Sequence, residues 1–466
     1  MKNKLYDILV IGSGLSSLTF IDAYLEKKKK IDVISFTKKK KKLSTKNNQH
    51  LFKILPPQMI GAEKQVQDYF FLNKILVKSK NKFFGSLEFG GLSNYWGLQI
   101  DKNIKSDISY LKKNTQKKIY NSFIEIFKKY NLIGKLKNSV QNSFIRNEYI
   151  DKKIFKRNKD LYLDEPILAF QKKNKNKIDL NKINEKKDKL TPLNFQRMHL
   201  NKKKIIYHDY FVEEIKNHKK NILVSCSNGV FKKIFITKKL VLGCGTLITT
   251  KLIMDYLKIS REVKINHHPR LFSLYFSKKK WKGNMEFQPS HLHLKSRKNP
   301  HLFTADFRPG NKIIINAIIK FKLILAPFKF ILNHFRENLI FSNIFLEPKY
   351  GNLYIKKKGN HYEVYSKKNK IKKPFKTINE MIFKFLIGTK KIFPFYIKYF
   401  PGFGADFHYF GTILMGKTGP LSVNEKCQLK RNKKIYLIDG SVLNFKRNKY
   451  PLGLIMANSR RVGKEI

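Results

Sequence analysis

Apolar residues form an unbroken run from Ile8 to Ile11 near the start of the chain. A run without polar alternation is typical of a parallel strand that is covered on both faces. The chain then turns at Gly12 and Gly14 and continues as an apolar-rich segment from Leu15 to Leu25, which predicts a helix. The apolar stretch 31–36 predicts the second strand of a β-α-β unit.

The same pattern of strand, glycines and helix returns in the middle of the chain. Residues 205–243 read as strands, and Asn228-Gly229 predicts a hairpin turn between two of them. The last of these strands runs into Gly243 and Gly245 and then into an apolar helix. Residues 102–204 alternate helical stretches with polar connections, which favours a peripheral helical cap.

Residues 270–400 contain aromatic-rich segments that predict strands of an antiparallel sheet with helices. These segments read LFSLYF, HLHLKS, NKIIINAII, NLYIKKK and HYEVYSK. His291 and His293 share one face of a predicted strand, which hints at a metal ligand pair. Without a third ligand, an ordinary role in the sheet is favoured and no metal site is predicted.

Gly12, Gly14 and Ser17 are spaced as in a dinucleotide-binding turn. The first glycine permits the tight turn, the second lets the backbone approach a pyrophosphate, and a small third residue lets the helix pack against the strand. The acidic residue that usually ends the second strand is missing, because Asp32 comes too early. We therefore expect Ser35 or Thr37 to hold the adenosine half of the nucleotide.

A second glycine-rich segment, EFGGLSNYWG, combines turn-forming residues with an embedded aromatic residue. Such a density predicts a binding loop that presents its backbone. The residues concerned are Gly90, Gly91, Ser93, Asn94 and Trp96.

The 466 residues allow two or three domains with a large core, and carry a formal net charge of +64. Only 12 of the 97 basic residues are arginine, and the lysines are spread over every region. Since arginine grips phosphate bidentately, this surplus does not indicate specific nucleic-acid recognition. It favours compositional drift, with non-specific affinity for polyanions or acidic membranes as the alternative.

The three cysteines, Cys226, Cys244 and Cys427, lie far apart and predict neither a disulfide framework nor a zinc site. No window of ~18 residues lacks charge, so no membrane span is expected. We expect a cytoplasmic protein. Peripheral contact with the inner face of an acidic membrane through residues 313–333 is the alternative.

The C-terminal part resembles the signature of the glucose-methanol-choline (GMC) flavoprotein oxidoreductases. The matching stretches are His408 followed by Gly411-Thr412 and Met415-Gly416, the strand that leads into Asp439-Gly440-Ser441, and the Pro451-led last helix. The turn at Gly12, the loop 90–97, the Gly243 strand and His268-Pro269 follow in the family's order. The resemblance is clear at both ends and patchy through the middle.

This resemblance implies an α/β fold with a discontinuous, Rossmann-like FAD-binding domain (1–110, 205–270 and 401–466). A helical cap region (111–204) and an α+β substrate domain with an antiparallel sheet (271–400) would complete the chain. Bound FAD would contact Gly12 and Gly14 at its pyrophosphate, and the loop 90–97 at its flavin. The same resemblance adds Val212 at the adenine, Gly243 and Gly245 beside the turn, Asp439 and Gly440 near the ribityl arm, and Pro451 at a helix aimed at the flavin.

The implied reaction is oxidation of a CH–OH group by hydride transfer to flavin, with a sugar or polyol as one candidate donor and the electron acceptor unknown. His408 is the candidate base, since imidazole suits proton removal near neutral pH. Where relatives place a second His or Asn, this chain has Tyr450, with Asn448 close by. Two alternatives stay open: another flavin oxidation, such as desaturation or attack on an amine or lipid, and a non-catalytic basic protein that binds membranes or polyanions.

Overall fold

The computed structural model describes most of the chain. The described residues are 4–28, 30–36, 59, 62–78, 81–101, 104–133, 135–136, 161–164, 166–171, 177–178, 184–281, 290, 292–296, 302–310, 312, 315–316, 319, 326–367, 371–445 and 450–466. They form a mixed α/β structure with several sheets.

The strands are β1 (Leu5–Ile11), β2 (Ile31–Ile34), β3 (Ile75–Val77), β4 (Gln99–Ile100), β5 (Leu132–Ile133), β6 (Lys135–Leu136), β7 (Leu161–Asp164), β8 (Ile167–Leu168), β9 (Phe170–Gln171), β10 (Lys177–Ile178), β11 (Ile205–His208), β12 (Phe211–His218), β13 (Asn221–Ser227), β14 (Lys232–Leu242), β15 (Val263–Ile265), β16 (Arg270–Ser277), β17 (Leu292–Ser296), β18 (Phe303–Pro309), β19 (Leu339–Leu346), β20 (Leu353–Lys358), β21 (His361–Ser366), β22 (Ile392–Tyr399), β23 (Gln428–Leu429) and β24 (Asn432–Leu437). The α-helices are α1 (Leu15–Leu25), α2 (Glu63–Leu72), α3 (Lys105–Ile108), α4 (Lys113–Lys129), α5 (Glu185–Asp188), α6 (Pro192–His199), α7 (Thr246–Tyr256), α8 (Lys329–His334), α9 (Lys372–Gly388) and α10 (Leu452–Glu465).

The first sheet has a parallel centre in the order β11-β2-β1-β14-β24. β13 pairs antiparallel with the first half of β14, and β12 pairs with β13. The unit β1-α1-β2 and the β13–β14 hairpin are therefore as predicted. Because the parallel strands come from the start, middle and end of the chain, three separate sequence stretches build one sheet.

Helix α10 packs against both α1 and α4 and ties the C-terminus to the N-terminus. Its Arg460, which is buried, donates hydrogen bonds to Asp22 and Glu26 of the α1 region and to Glu125 of α4. A buried cation needs such partners, because an unpaired charge in the interior is strongly destabilising. This network fixes the two ends of the chain as one unit.

The second large sheet is antiparallel, in the order β22-β16-β19-β18-β17-β7. Helix α9 covers one of its faces, where the Asn379 Oδ1 accepts hydrogen bonds from Ser273 and Tyr275. Alternate residues of the same strands, such as Arg270 and Phe272 of β16, point to the opposite face. A smaller sheet, β15-β20-β21-β3, lies beside these two.

The middle of the chain differs from the sequence-based predictions in two places. Residues 111–204, predicted as a helical cap, contain strands as well as helices: β7 joins the antiparallel sheet, and α4 packs on α10. The domain boundaries themselves stay predictions.

Residues 311–319 were predicted to form a strand. This prediction is wrong at the described positions, which are helical. Ile315 and Ile319 are both buried against Leu274, and a spacing of four suits a helix.

Candidate functional site

A cleft opens at the carboxyl ends of the parallel strands of the first sheet. This is the edge at which open α/β sheets bind ligands. Many predicted site residues line it. They are Gly12, Gly14, Ser35, Gly90, Gly91, Ser93, Val212, Gly243 and Gly245.

Gly12 and Gly14 have different structural reasons to be glycine. Gly12 has φ +110°, and a Cβ there would lie 2.5 Å from the backbone oxygen of Gly243, so the fold itself requires glycine. Gly14 has φ −69°, which any residue tolerates, and its Cβ would lie 3.4 Å from Ser93 Oγ and 3.6 Å from Gly90 O. A side chain at Gly14 would therefore occupy space near the cleft without straining the backbone.

The N-terminus of α1 opens at this turn and suits an anion. Its N-cap residue is Gly14, which has no side chain to cap the helix, and the first helical turn has no acidic residue. The Leu15 N–H donates to Ser93 Oγ at 3.2 Å. The backbone N–H groups at a helix N-terminus and the helix dipole together favour a phosphate-like group at such a position.

Hydroxyl groups bind the loop 90–97 to the turn after β1. Ser13 Oγ accepts from the Gly90 N–H at 3.0 Å and from Ser35 Oγ at 2.7 Å. Ser17 lies below the cleft, where its hydroxyl donates to Gly243 O at 3.1 Å, as a small helix residue packed on a strand should. Two turns and the loop thus converge on one point of the cleft wall.

Two of the predicted loop residues are directed elsewhere. The Asn94 side chain donates to Phe89 O at 2.8 Å, and the Trp96 indole donates to Leu190 O at 2.9 Å. These side chains brace the loop and do not line the cleft. Their role in binding a cofactor stays a prediction.

The end of the cleft next to β2 is aromatic, which sequence reasoning missed. Phe36, Tyr210 and Phe211 line it together with the predicted Val212. Asp32 is engaged within the sheet, since its carboxylate contacts His208 Nε2 at 2.8 Å. The strand-end position is left to Ser35, whereas Thr37 lies outside the described residues.

Asp439, Gly440 and Pro451 are not among the residues that line the cleft. Asp439 is buried and accepts hydrogen bonds from Thr249 Oγ1 at 2.5 Å and from the Ser441 N–H at 3.0 Å. Burial raises the pKa of the Asp439 carboxyl, against the effect of these hydrogen bonds. Pro451 is the N-cap residue of α10.

The predicted catalytic residues His408 and Tyr450 come together on the open face of the antiparallel sheet. Their ring centroids lie 5.8 Å apart, and His408 stacks on Phe345 of β19 at 5.1 Å. Asn448 lies outside the described residues. Burial raises the pKa of the Tyr450 hydroxyl well above its ordinary value, and the charge of Asp306 adds to this, so Tyr450 is a proton donor in hydrogen bonds rather than a base.

A hydrogen-bond network orients His408. Asp406 Oδ1 accepts from the His408 backbone N–H at 2.9 Å, and its Oδ2 contacts His267 Nδ1 at 2.7 Å. His408 Nδ1 lies 3.2 Å from His268 Nδ1. Within the part of the chain that the structure describes, His408 Nε2 has no hydrogen-bond partner, which leaves it for a substrate.

Burial lowers the pKa of His408 to about 4, with Asp406 opposing this shift and Arg270 adding to it. Burial opposes ionisation of Asp406 too, but attraction to His267 and their hydrogen bond outweigh it and lower the pKa of this carboxyl. At neutral pH the pair is therefore a neutral imidazole beside a carboxylate. A neutral imidazole can accept a proton.

His293, considered at first as part of a sheet surface, is buried beside Tyr450. Its Nε2 contacts Gln99 Oε1 at 2.6 Å and lies 3.5 Å from the Tyr450 hydroxyl, whereas its buried Nδ1 has no partner. Gln99 donates in turn to Asp306 of β18 at 3.1 Å. His293 and Asp306 meet through the pairing of β17 with β18, and Gln99 and Tyr450 come from distant parts of the chain, so no local sequence signal could have found this group.

His291, its companion in the sequence, lies outside the described residues. The described residues contain no group of three His, Cys, Asp or Glu side chains that could hold a metal ion. Their helices also include none long and apolar enough to span a bilayer.

The shifted His408 makes stability depend on pH. Between pH ~6.5 and ~4 the unfolded chain binds a proton at this histidine that the native state does not bind, so the free energy of unfolding falls as pH falls. The slope from one such group is about 1.4 kcal/mol per pH unit. Denaturant titrations across this window should show that the free energy of unfolding falls less steeply with pH in His408→Gln than in the unchanged chain. Equal slopes in the two proteins would contradict the lowered pKa of His408.

Comparison with known proteins places the fold. The structure is similar to the crystal structure of pyridoxine 4-oxidase from Mesorbium loti, with a TM-score of 0.57 and 10% sequence identity over 99% of each chain. No protein-family model and no curated protein matches the sequence. At this identity the likeness concerns the fold alone, and it supports the GMC-like fold that the sequence resemblance implied.

Proposed function

We propose that this protein is an FAD-dependent oxidoreductase that removes a hydride from a CH–OH group of a small molecule. The observation that carries the proposal is His408: a neutral, partly buried imidazole with an open Nε2, set beside Tyr450. A glycine-lined cleft at the carboxyl edge of the first sheet supports it, because that cleft suits a dinucleotide. The discontinuous first sheet agrees with a Rossmann-like FAD domain.

The residues present fit FAD at several points. A pyrophosphate could approach the backbone in the space beside Gly14, at the open N-terminus of α1. Gly245 leaves similar room, because a Cβ built there meets no atom within 4 Å. Phe36 and Tyr210 offer apolar surface for the adenine, and Ser35 offers a hydroxyl for the ribose. When bound, oxidised flavin supplies the acceptor for a hydride.

The chain's own residues would then handle the proton. His408 Nε2 would accept it from the substrate hydroxyl as the C–H bond loses its hydride, since an alcohol releases hydride readily only as its O–H proton is removed. Asp406 holds the backbone at His408, and Phe345 holds its ring. The Tyr450 hydroxyl lies beside His408 and would orient the same substrate oxygen.

The structurally similar protein is named as an oxidase of pyridoxine, a molecule that carries hydroxymethyl groups. This supports an alcohol as the donor. The walls that select a substrate belong to the antiparallel sheet. This chain presents His293 and Tyr450 there, with Gln99 behind them. We infer a polar alcohol, whose hydroxyl can satisfy these buried groups.

The first experiment is the visible absorption spectrum of the purified full-length chain, followed by denaturation and identification of the released cofactor. We expect a flavin spectrum and released FAD, or uptake of added FAD by the colourless protein. Anaerobic addition of alcohols should then bleach the spectrum. A protein that neither contains nor takes up FAD would overturn the proposal. If only amines or lipids bleach the bound FAD, the donor is not an alcohol.

A further inference from the structure

Away from the cleft, large aromatic side chains are exposed on one end of the antiparallel sheet. On α8 and its flanks, Phe330 is 81% exposed, and Phe328, Ile331 and Phe335 are about half exposed. On the edge strand β22, Phe395 is 51% exposed and Phe393 is also exposed. Single exposed apolar residues are ordinary, but a group of this size on one surface marks an interaction site.

Contacts between their neighbours make these residues one surface, here called the aromatic face (Phe328, Phe330, Ile331, Phe335, Phe393 and Phe395). Leu332 of α8 is the buried member of its helix and packs with Leu274 of β16. Phe276 packs against the same small cluster, and its ring lies 4.6 Å from the Phe395 ring. The helix therefore turns one residue inward and leaves its aromatic residues in solvent.

Basic residues surround the aromatic face. Lys278, Lys279 and Lys280 are exposed at the end of β16. The Lys278 N–H donates to Lys391 O at 2.8 Å, and the Lys278 ammonium lies 6.0 Å from the Phe393 ring centroid. On the other side, Asn338 donates to Ser277 O at 3.0 Å, which brings the turn after α8 against the same strand end.

Further cations extend this ring, whereas the nearby acid is partly buried. Lys329 begins α8, Arg336 follows this helix and Lys390 precedes β22; all three are exposed. Glu337 is half-buried, and its backbone oxygen accepts from the Trp281 N–H. The surface thus joins protruding aromatic side chains to a strong excess of positive charge.

We propose that the aromatic face docks on an anionic lipid bilayer, with the phenylalanines in the interface and the lysines at the headgroups. Aromatic side chains insert at the boundary between headgroups and acyl chains, and lysines are attracted by the negative surface potential. Charge complementarity argues for lipid over a second copy of this chain, because two such faces would bring like charges together. The face also continues the sheet surface of the candidate site: Phe272 and Phe276 follow Arg270 at alternate positions of β16.

The test is co-sedimentation of the purified full-length chain with vesicles of phosphatidylcholine, with and without phosphatidylserine. We expect binding only to the phosphatidylserine vesicles, weakened by salt. The variant Phe330→Ser/Phe395→Ser should bind at least about tenfold more weakly. The control Phe231→Ser, which changes a 68%-exposed phenylalanine in the β13–β14 turn, should bind as the unchanged chain does.

A matched pair of charge variants separates a specific face from diffuse attraction. Lys279→Glu/Lys280→Glu should weaken binding more than Lys219→Glu/Lys220→Glu, which makes the same change of net charge in the exposed β12–β13 turn. Equal losses from the two pairs, or full binding by Phe330→Ser/Phe395→Ser, would overturn the proposal. So would a stable dimer in analytical ultracentrifugation that the double serine variant dissociates. Unchanged unfolding midpoints identify variants that still fold.

Discussion

Gly14→Val should abolish retention of FAD while the chain keeps its far-UV circular dichroism and unfolding midpoint. The backbone at Gly14 is extended, with φ −69° and ψ 169°, and the new Cβ would meet only Ser93 Oγ at 3.4 Å and Gly90 O at 3.6 Å. The valine methyl groups would instead occupy the space in front of the α1 N-terminus, where a pyrophosphate must approach the backbone. The measurement is the flavin-to-protein absorbance ratio after gel filtration.

Two further glycine variants make this test specific. Gly12→Val should fail to fold, because Gly12 has φ +110° and its Cβ would lie 2.5 Å from Gly243 O. Gly388→Val, at the end of α9, should fold and keep FAD, since a Cβ there meets no atom within 4 Å. If Gly14→Val binds FAD as tightly as Gly388→Val does, the pyrophosphate is not at this turn.

Those glycines could be found from the sequence because their geometry is local. The strand β1, the turn and the helix α1 lie within 21 consecutive residues, and the predicted helix Leu15–Leu25 is the one observed. The hairpin at Asn228-Gly229 was likewise set by its own turn residues. In both places, residues that are close in the sequence determine the backbone conformation and the type of element.

The walls of the candidate site could not be found in this way. His293 pairs with Asp306 on the neighbouring strand and contacts Tyr450 from the far end of the chain, so its role depends on strand register, which a sequence pattern does not give. Composition also does not show which way a side chain points. Residues 90–93 of the predicted binding loop line the cleft, whereas Asn94 and Trp96 turn their side chains toward Phe89 and Leu190.

His408→Ala should keep FAD and slow its reduction by substrate about 10²- to 10⁴-fold, the usual size of a lost general base. The glycine-lined cleft does not include His408, so cofactor retention should not depend on it. In the unchanged chain the reduction rate should hold through neutral pH and fall as pH drops through about 4, because only the neutral imidazole accepts a proton. Anaerobic stopped-flow absorbance gives both the rate and its pH profile.

Three comparisons show whether the loss belongs to proton transfer. His361→Ala removes an exposed imidazole from β21 and should leave the rate unchanged. Tyr450→Phe keeps the ring beside His408 but removes a hydroxyl that donates without acting as a base, so its rate should fall only about tenfold, as for one lost hydrogen bond. A His408→Ala enzyme with an unchanged rate would remove His408 from the mechanism. A Tyr450→Phe loss as large as that of His408→Ala would instead make the tyrosine an equal partner in proton transfer, despite its raised pKa.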